Sequence, residues 1–497
     1  MANSYRFGDD RQISVLLGLG ARQVVPLAVG FVWLALWLQA GSALVGVGGL
    51  AVCLVAGFGR WRGFPLTEIA VPAVRHLVRT RRRDRGVWVR HSLLGAGPGV
   101  DVDVPAEFAG FDLLEIVAPN LTGSGQAGAV AVVHDRHAQT VSLSMRITGR
   151  GFAVADPESQ DRLVAGWGTV LSPLARERCP IVKVVWQQWA HPAGIGDHHD
   201  FLATCPPADT SSAVADYHDL LARQAPFTVA HEVLVTLVVD IARVRARRRI
   251  APLDAAIDAL VEETRLFIAR TDTAELAVDT ILTPAQRATA IRVRCDPRRT
   301  HVGQLATLQR SLAAATGRGV IEWGPMAIHP AWGHVQVDGS VHRSYRVASW
   351  PMLPMSADWL GHLLTGADQA TRTVTVVMEP VPMRKAAQAA NRELASLEAD
   401  ASEKEERRFR VTARERRRMA DVETREQELA VGHAEFAFVG IVTVTATDID
   451  QLDDSCALVE QAAAQALMDL RPLDARHTHG LIAALPLGRD VKTGRWT

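Results

Sequence analysis

No charged residue occurs between Val24 and Gly59, where VVPLAVGFVWLALWLQ is followed by SALVGVGGLAVCLVAGFG. Read as one helix, that run would measure about 54 Å against a hydrocarbon core of about 30 Å, so it is expected to fold back on itself. Gln39, Ala40, Gly41 and Ser42 are its polar, turn-prone interruption and are the expected transmembrane turn. Gly46, Gly48 and Gly49 would let the second helix lie close to the first. Beyond Gly59, Leu66, Ile69, Ala70, Ala73, Leu77 and Val78 recur at helical spacing among arginines, which predicts an amphipathic juxtamembrane helix. GAGPGVDVDVP, from Gly95 to Pro105, reads as a linker.

From Phe108 onward the pattern alternates between strand and helix. Strands are predicted from Phe111 (FDLLEIVAP), Gly128 (GAVAVVHD), Thr140 (TVSLSMRITG), Ile181 (IVKVVWQQWA) and Val233 (VLVTLVVDIARV). Asp156 is the predicted cap of a helix that starts at Pro157 and runs to about Arg178, and a second helix spans Asp254 to Arg270. The second half repeats this mixture, with strands at 320–323, 334–337, 345–348 and from Thr373, a short helix at 356–364, a strand from Phe436 and a helix at 450–470. Between Arg384 and Leu429 the chain holds no proline or glycine and mixes both charges densely, as a long exposed helix or a helical hairpin would. The expected fold class is α+β. It comprises a transmembrane helical hairpin at 24–59 after a cytoplasmic N-terminus at 1–23, a basic helix and linker at 60–107, and two mostly antiparallel cytoplasmic domains at 108–300 and 301–497, the second with a charged arm at 384–431.

Charge sharpens the N-terminal picture and little else. Lysine plus arginine and aspartate plus glutamate are equal at 54 each, so no global field points to nucleic acid or an acidic substrate. The basic residues are concentrated around the apolar run: Arg6, Arg11 and Arg22 precede it, and Arg60, Arg62, Arg75, Arg79, Arg81, Arg82, Arg83, Arg85 and Arg90 follow it. By the positive-inside rule both ends are expected to be cytoplasmic, in a multi-pass protein of a bacterial inner membrane. Of the following group, Arg60, Arg62, Arg75, Arg79, Arg81, Arg82, Arg83 and Arg85 are the expected membrane-surface residues, with lipid headgroups as partners. A cleaved signal peptide fits less well, because the run is too long and more than twenty residues precede it. Cys53, Cys179, Cys205, Cys295 and Cys456 stand far apart, which disfavours a disulfide framework or a zinc motif.

Candidate chemistry is sparse. A phosphate-binding loop needs glycines followed by lysine and a hydroxyl residue, and neither GSGQAG (Gly123 to Gly128) nor VKTG (from Val491) meets that need. Asp197, His198, His199 and Asp200 form a compact set of potential ligands, but adjacent side chains rarely converge on one ion, and a solvated polar loop is the expected structure. His231 with Glu232 begins a helix-borne zinc-protease pattern, yet Val235 occupies the place of the second histidine. Trp323, Trp332, Trp350 and Trp359 read as core and turn packing. No catalytic residue, cofactor or metal ligand is assigned.

Several strings resemble a family of actinobacterial conjugal-transfer membrane proteins of type IV secretion character. These are GFPLTEIAVPAVRHLVRTRRR, TGRGFAVADPESQDRLVAGWG from Thr148, DGSVHRSYRVASWP and SADWLGHLL between Asp338 and Leu364, the charged segment 384–429, and ALPLGR at Ala484 to Arg489. The resemblance implies a small two-helix membrane subunit joined to the N-terminal, non-ATPase part of a conjugation ATPase. It further implies a non-enzymatic inner-membrane scaffold that docks a separate ATPase and other membrane subunits, as a homo-oligomer or part of a large complex. Direct nucleic-acid contact is not indicated, since acidic residues nearly balance the arginines of the arm. Two alternatives stand beside it: a membrane subunit of a type VII secretion system, and a membrane-anchored metal-dependent hydrolase using the Asp197–Asp200 set with His231.

Overall fold

The computed structural model describes residues 14–16, 19–61, 64–81, 88–89, 107–108, 110–118, 121, 128–149, 151–193, 196–205, 212–224, 228–244, 251–298, 324–351, 353, 355–406 and 412–491. Its centre is a 13-stranded sheet in which every pairing is antiparallel. The strands are β1 (Trp88–Val89), β2 (Phe111–Ala118), β3 (Gly128–Asp135), β4 (Thr140–Gly149), β5 (Ile181–Pro192), β6 (Val229–Asp240), β7 (Leu276–Ile281), β8 (Ala327–Pro330), β9 (Val335–Val337), β10 (Ser340–Ser349), β11 (Thr371–Val381), β12 (Glu435–Ala446) and β13 (Asp469–Pro472). Their order is β1-β8-β9-β10-β12-β11-β5-β6-β4-β3-β2, with β7 added to β4 and β13 to β10.

The order reads alike outward from the β5–β11 pair, because the chain traces the same path twice. Each copy runs hairpin, helix, strand, helical insertion, strand, helix, short strand, buried helix. The helices of the first copy are α4 (Pro157–Leu171), α5 (Gly196–Thr204), α6 (Ser212–Gln224), α7 (Pro252–Thr271) and α8 (Pro284–Cys295). Those of the second are α9 (Gly361–Thr365), α10 (Met383–Glu406), α11 (Ala413–Val431), α12 (Ile449–Gln465) and α13 (His477–Ala484). Register supports the equivalence residue by residue. Thr236 pairs with Ser144 and Val185 in the first copy, as Thr443 pairs with Ser344 and Thr373 in the second. The hydroxyls of Ser144 and Thr236 lie 2.7 Å apart, and those of Ser344 and Thr443 2.9 Å apart. Leu282 N–H donates to Ser144 O at 3.0 Å, and Leu473 N–H to Ser344 O at 2.9 Å. At the junction Gln187 faces Thr375, its own counterpart in this register, so a pseudo-two-fold axis passes between them.

Strand alternation sorts the core. Val141, Leu143, Met145 and Ile147 of β4 enter the cluster covered by α4 and α7, while Ser142 and Ser144 point to the other face. A second cluster under α12 mirrors the first. On the opposite face a third cluster draws on both copies: Phe111 and Val133 meet Ile328, Val335 and Val337 around Ile291 of α8 and Leu481 and Ile482 of α13. Residues on every side of α13 are buried, including His477, Gly480, Leu481, Ile482, Ala483 and Ala484. One sheet therefore runs through residues of both halves of the chain.

Local signals set the helix starts. Asp156 accepts from Ser159 N–H at 3.0 Å with Pro157 at the first helical position, although the regular helix stops at Leu171 and ends in a 3-10 turn at Ser172–Ala175. At α8, Thr283 and Gln286 exchange hydrogen bonds as a capping box. Thr283→Ala is expected to lower the unfolding free energy by about 1 kcal/mol in denaturant titrations.

The N-terminal expectation is corrected. The apolar run does form two helices, α1 (Ala21–Gln39) and α2 (Ala43–Phe58), turning at Ala40–Ser42 with Gly41 at φ +76. Among the described residues, however, no helix is long and apolar enough to cross a membrane. The turn leaves α2 with 16 residues, about 24 Å, short of the hydrocarbon core. The 19 residues of α1 include Arg22, Gln23, Pro26 and Gln39, which dilute its hydropathy. The transmembrane hairpin, the turn at Gln39, Ala40, Gly41 and Ser42 as a transmembrane turn, and the multi-pass inner-membrane placement are all overturned by this finding.

Candidate functional site

Among the described residues, the largest group of exposed apolar side chains lies on α1 and α2. The two helices pack closely: a Cβ on Gly49 would lie 2.0 Å from the Trp33 ring, and one on Gly46 would lie 3.1 Å from Leu34, whereas Gly48 faces open space. Their outer sides remain uncovered, with Leu44 90%, Val52 69%, Val25 61% and Phe31 58% exposed, beside Val29, Val32, Leu36, Val47 and Val55. After Gly59 the chain enters α3 (Leu66–Arg81), whose Ile69 packs on Ile441, Leu473, Ala483 and Val491 of the body. The His76 and Trp332 rings meet edge-on at 5.6 Å. Of the expected membrane-surface arginines, Arg60 is exposed, Arg75, Arg79 and Arg81 belong to α3, and Arg62, Arg82, Arg83 and Arg85 lie outside the described residues.

The charged segment forms a helical hairpin of α10 and α11. Ala386, Ala390 and Leu429 close its base. Arg418 reaches Glu393 at 3.0 Å, and Arg425 bridges Glu393 and Glu435 at 3.3 and 2.8 Å. Arg392, Glu398, Arg416, Glu423 and Glu428 are exposed. The arm emerges between β11 and β12, at the position where α5 and α6 emerge between β5 and β6.

The polar set at 197–200 is helical rather than a loop, lying in α5. His198 Nε2 contacts the Tyr217 hydroxyl of α6 at 2.7 Å, while the side chains of Asp197, His199 and Asp200 lie outside the described residues. Among the described residues no group of three or more histidine, cysteine or acidic side chains is placed to hold a metal ion. His231 belongs to β6, where its Nδ1 meets Gln188 Nε2 at 3.0 Å and its Nε2 lies 3.9 Å from Asp368. Burial holds its pKa below the ordinary histidine range, against the pull of Asp368. Trp350 packs on Trp359 and Phe438, with ring centroids 6.0 and 4.9 Å apart. Trp323, residues 123–127 and the chain beyond Val491 lie outside the described residues.

Neighbouring Glu232 organises a cluster that pattern matching on HE did not anticipate. It accepts from Arg146 Nη2 at 2.5 Å and from Arg294 Nη2 at 2.7 Å, and Arg294 lies 4.8 Å over the Trp189 ring. Trp189 in turn stacks on His191 at 3.7 Å. Burial works to raise the Glu232 carboxyl, but Arg294 and Arg146 overcome it and hold the group ionised. The cluster pins the ends of β4 and β6 to α8. A signal for it existed: Arg287, Ile291 and Arg294 recur at i, i+4 and i+7, placing two arginines on the helix face that carries apolar core.

No family model and no curated protein matches this chain.

The string ALPLGR proves to be a strap. After α13 the chain crosses the pseudo-two-fold axis onto the first copy. Gln187 Nε2 donates to Ala483 O and Leu485 O at 3.0 Å each, Arg287 Nε to Pro486 O at 2.9 Å, and Ser142 Oγ to Leu487 O at 3.2 Å. Arg489 then forms a buried fork on Asp135 at 2.6 and 2.5 Å, and Lys183 meets Asp490 at 3.1 Å. The counterpart after α8 reaches the second copy, where His342 Nε2 donates to Cys295 O at 2.9 Å and Ser340 Oγ to Asp296 at 3.0 Å. Each copy's last helix thus ends on the other copy's hairpin.

Proposed function

We propose that this protein is a non-enzymatic scaffold subunit of a conjugative DNA-transfer or type IV secretion-like apparatus, docking a separate ATPase. One observation carries the reading: a helical hairpin with its large apolar side chains exposed is joined to a folded α+β body. Contiguous exposed apolar surface of this kind marks an interaction site, because leaving it in water costs about 25 cal/mol per Å². The arm α10–α11 supplies a second projecting surface, and its balanced charge suits a protein contact better than a phosphate backbone. The resemblance of its sequence strings to conjugal-transfer proteins supplies the apparatus.

Affinity purification of the full chain from its own cells is expected to yield a large assembly containing a nucleoside-triphosphatase subunit. Val29→Glu with Val52→Glu on the hairpin, or deletion of 384–431, is expected to release that subunit while the body stays folded. A monodisperse monomer that retains no ATPase would reject the proposal.

A further inference from the structure

Two helical insertions leave the central sheet, and they carry opposite charge. The first, residues 196–224 with α5 and α6, holds five aspartates against Arg223, a net −4 with histidines neutral. The second is the arm, whose charges nearly balance over 384–431 but are unevenly placed. Between Arg407 and Arg418 seven arginines stand against Glu415, a net +6, with Phe409 and Val411 among them. β5 and β11 run antiparallel, Arg372 facing Ala190 and Met378 facing Val184. The insertions follow the ends of these strands, Pro192 and Val381, and therefore leave opposite ends of the pair.

The first insertion has an unpartnered face. α6 is 13 residues long and none of them is buried, whereas a helix of that length is marginal in water unless it packs an apolar face. Tyr217 and Leu220 form such a face, one turn apart and 40% and 48% exposed, and Phe201 of α5 is 59% exposed. Asp216 and Asp219 run beside them at the same spacing, both exposed and in no ion pair among the described residues. Arg223 of the same helix donates instead to the Asp219 backbone O at 3.3 Å.

The second insertion stands clear of the body. α10 has 24 residues, about 36 Å, and beyond Ala390 none of its described residues is buried. Arg418 is drawn back to Glu393 at 3.0 Å, which lowers the basic surplus at the tip without cancelling it. An acidic, partly apolar face and a basic tip with apolar residues among its arginines are thus complementary, and a single chain holds them apart.

We propose that the arm tip of one chain docks on the α5–α6 face of a second copy, its arginines meeting Asp216 and Asp219 and its apolar residues meeting Tyr217 and Leu220. Because the two surfaces lie at opposite ends of one chain, the contact is head to tail, and it adds chains in series or closes a ring. The proposal rests on the scaffold reading, in which the arm is a protein-contact surface, and names one partner for it.

Sedimentation velocity of the purified full chain over a range of protein concentrations tests the assignment. Association is expected in about 0.1 M sodium chloride and should weaken at least tenfold in about 1 M, where the screening length falls from about 10 Å to about 3 Å. Asp216→Arg with Asp219→Arg, and separately Arg414→Asp with Arg416→Asp, should each weaken it at least tenfold. Folding is not at risk, because α6 buries no residue and Arg416 is exposed. An equimolar mixture of the two variants should recover pairs, since the intact tip of the first fits the intact face of the second. Asp258→Arg with Asp454→Arg, exposed reversals on α7 and α12, should leave association unchanged. A chain that stays monomeric in dilute salt, or a mixture that stays apart, would overturn the proposal. So would association that persists in both variants, as self-association of the apolar α1–α2 hairpin would, or a tip variant that loses only binding to a short DNA duplex. The chain is measured without any ATPase, so failure here leaves the assembly role standing.

Discussion

Acidification from pH 7 toward pH 4 is expected to unfold this protein through two buried histidines. His342 is fully enclosed between β12 and the end of α8, its Nδ1 meeting the Thr445 hydroxyl at 2.9 Å and its Nε2 meeting Cys295 O at 2.9 Å. His477 opens α13, with Nδ1 accepting the Ser344 N–H at 3.1 Å. Burial drives both pKa values down, to about 4 for His342 and about 3 for His477, from an unfolded value of 6.5. Above pH 6.5 both states are neutral and stability is fully present. Below it the unfolded chain binds protons that the folded chain refuses, so stability falls with pH by about 1.4 kcal/mol per unit for each histidine. His342 stops contributing near pH 4 and His477 near pH 3. Over the window from 6.5 to 4 the two together remove about 7 kcal/mol, comparable with the whole stability of an ordinary domain. Urea titrations at half-unit pH steps measure this directly. His342→Gln keeps a donor and an acceptor in place without titrating and should roughly halve the slope. A stability that stays level from pH 7 to pH 5, or a slope that His342→Gln does not change, would contradict this account.

The second large effect is expected at Arg489. Its guanidinium makes a two-point contact with Asp135 and lies 3.9 Å over the Phe111 ring. Asp135 also accepts the N–H groups of His137 and Ala138, which closes the β3–β4 turn. Both partners are less than a tenth exposed. Arg489→Ala removes the counter-charge and leaves a buried carboxylate, at a cost of about 3–5 kcal/mol. Arg489→Lys keeps the charge but loses the planar fork, and should fall between the two. Asp135→Asn combined with Arg489→Ala should recover part of the loss, because no uncompensated charge remains. The measurement is the denaturant midpoint at constant m-value, at pH 7. An Arg489→Ala protein within 1 kcal/mol of the parent would show that the strap contributes little.

The apolar hairpin illustrates how a correct local signal can carry a wrong inference. The turn at Ala40–Ser42 and the close packing through Gly46 and Gly49 follow from residue type. Whether each arm spans a bilayer depends on where helix ends fall, and Ser42 starts the second arm late enough to leave it short. The glycine-containing stretch around Asp197–Asp200 predicts a loop, yet it packs as a helix because α6 offers Tyr217 to His198.

The sequence by itself determined the positions of most long strands, since period-two apolar runs bounded by turn residues report burial on a sheet. It also determined the cap at Asp156, which acts within one helical turn. Only the tertiary structure decided which strands pair, because alternation shows that one face is buried without naming the neighbour that buries it. The equivalence of the two copies rests on register across β5–β11, not on matching residues: Leu143 answers to Arg343 and Gln187 to Thr375. The strap belongs to the same category. Arg489 and Asp135 are separated by 354 residues, and a charged side chain reads as surface until folding encloses both partners together.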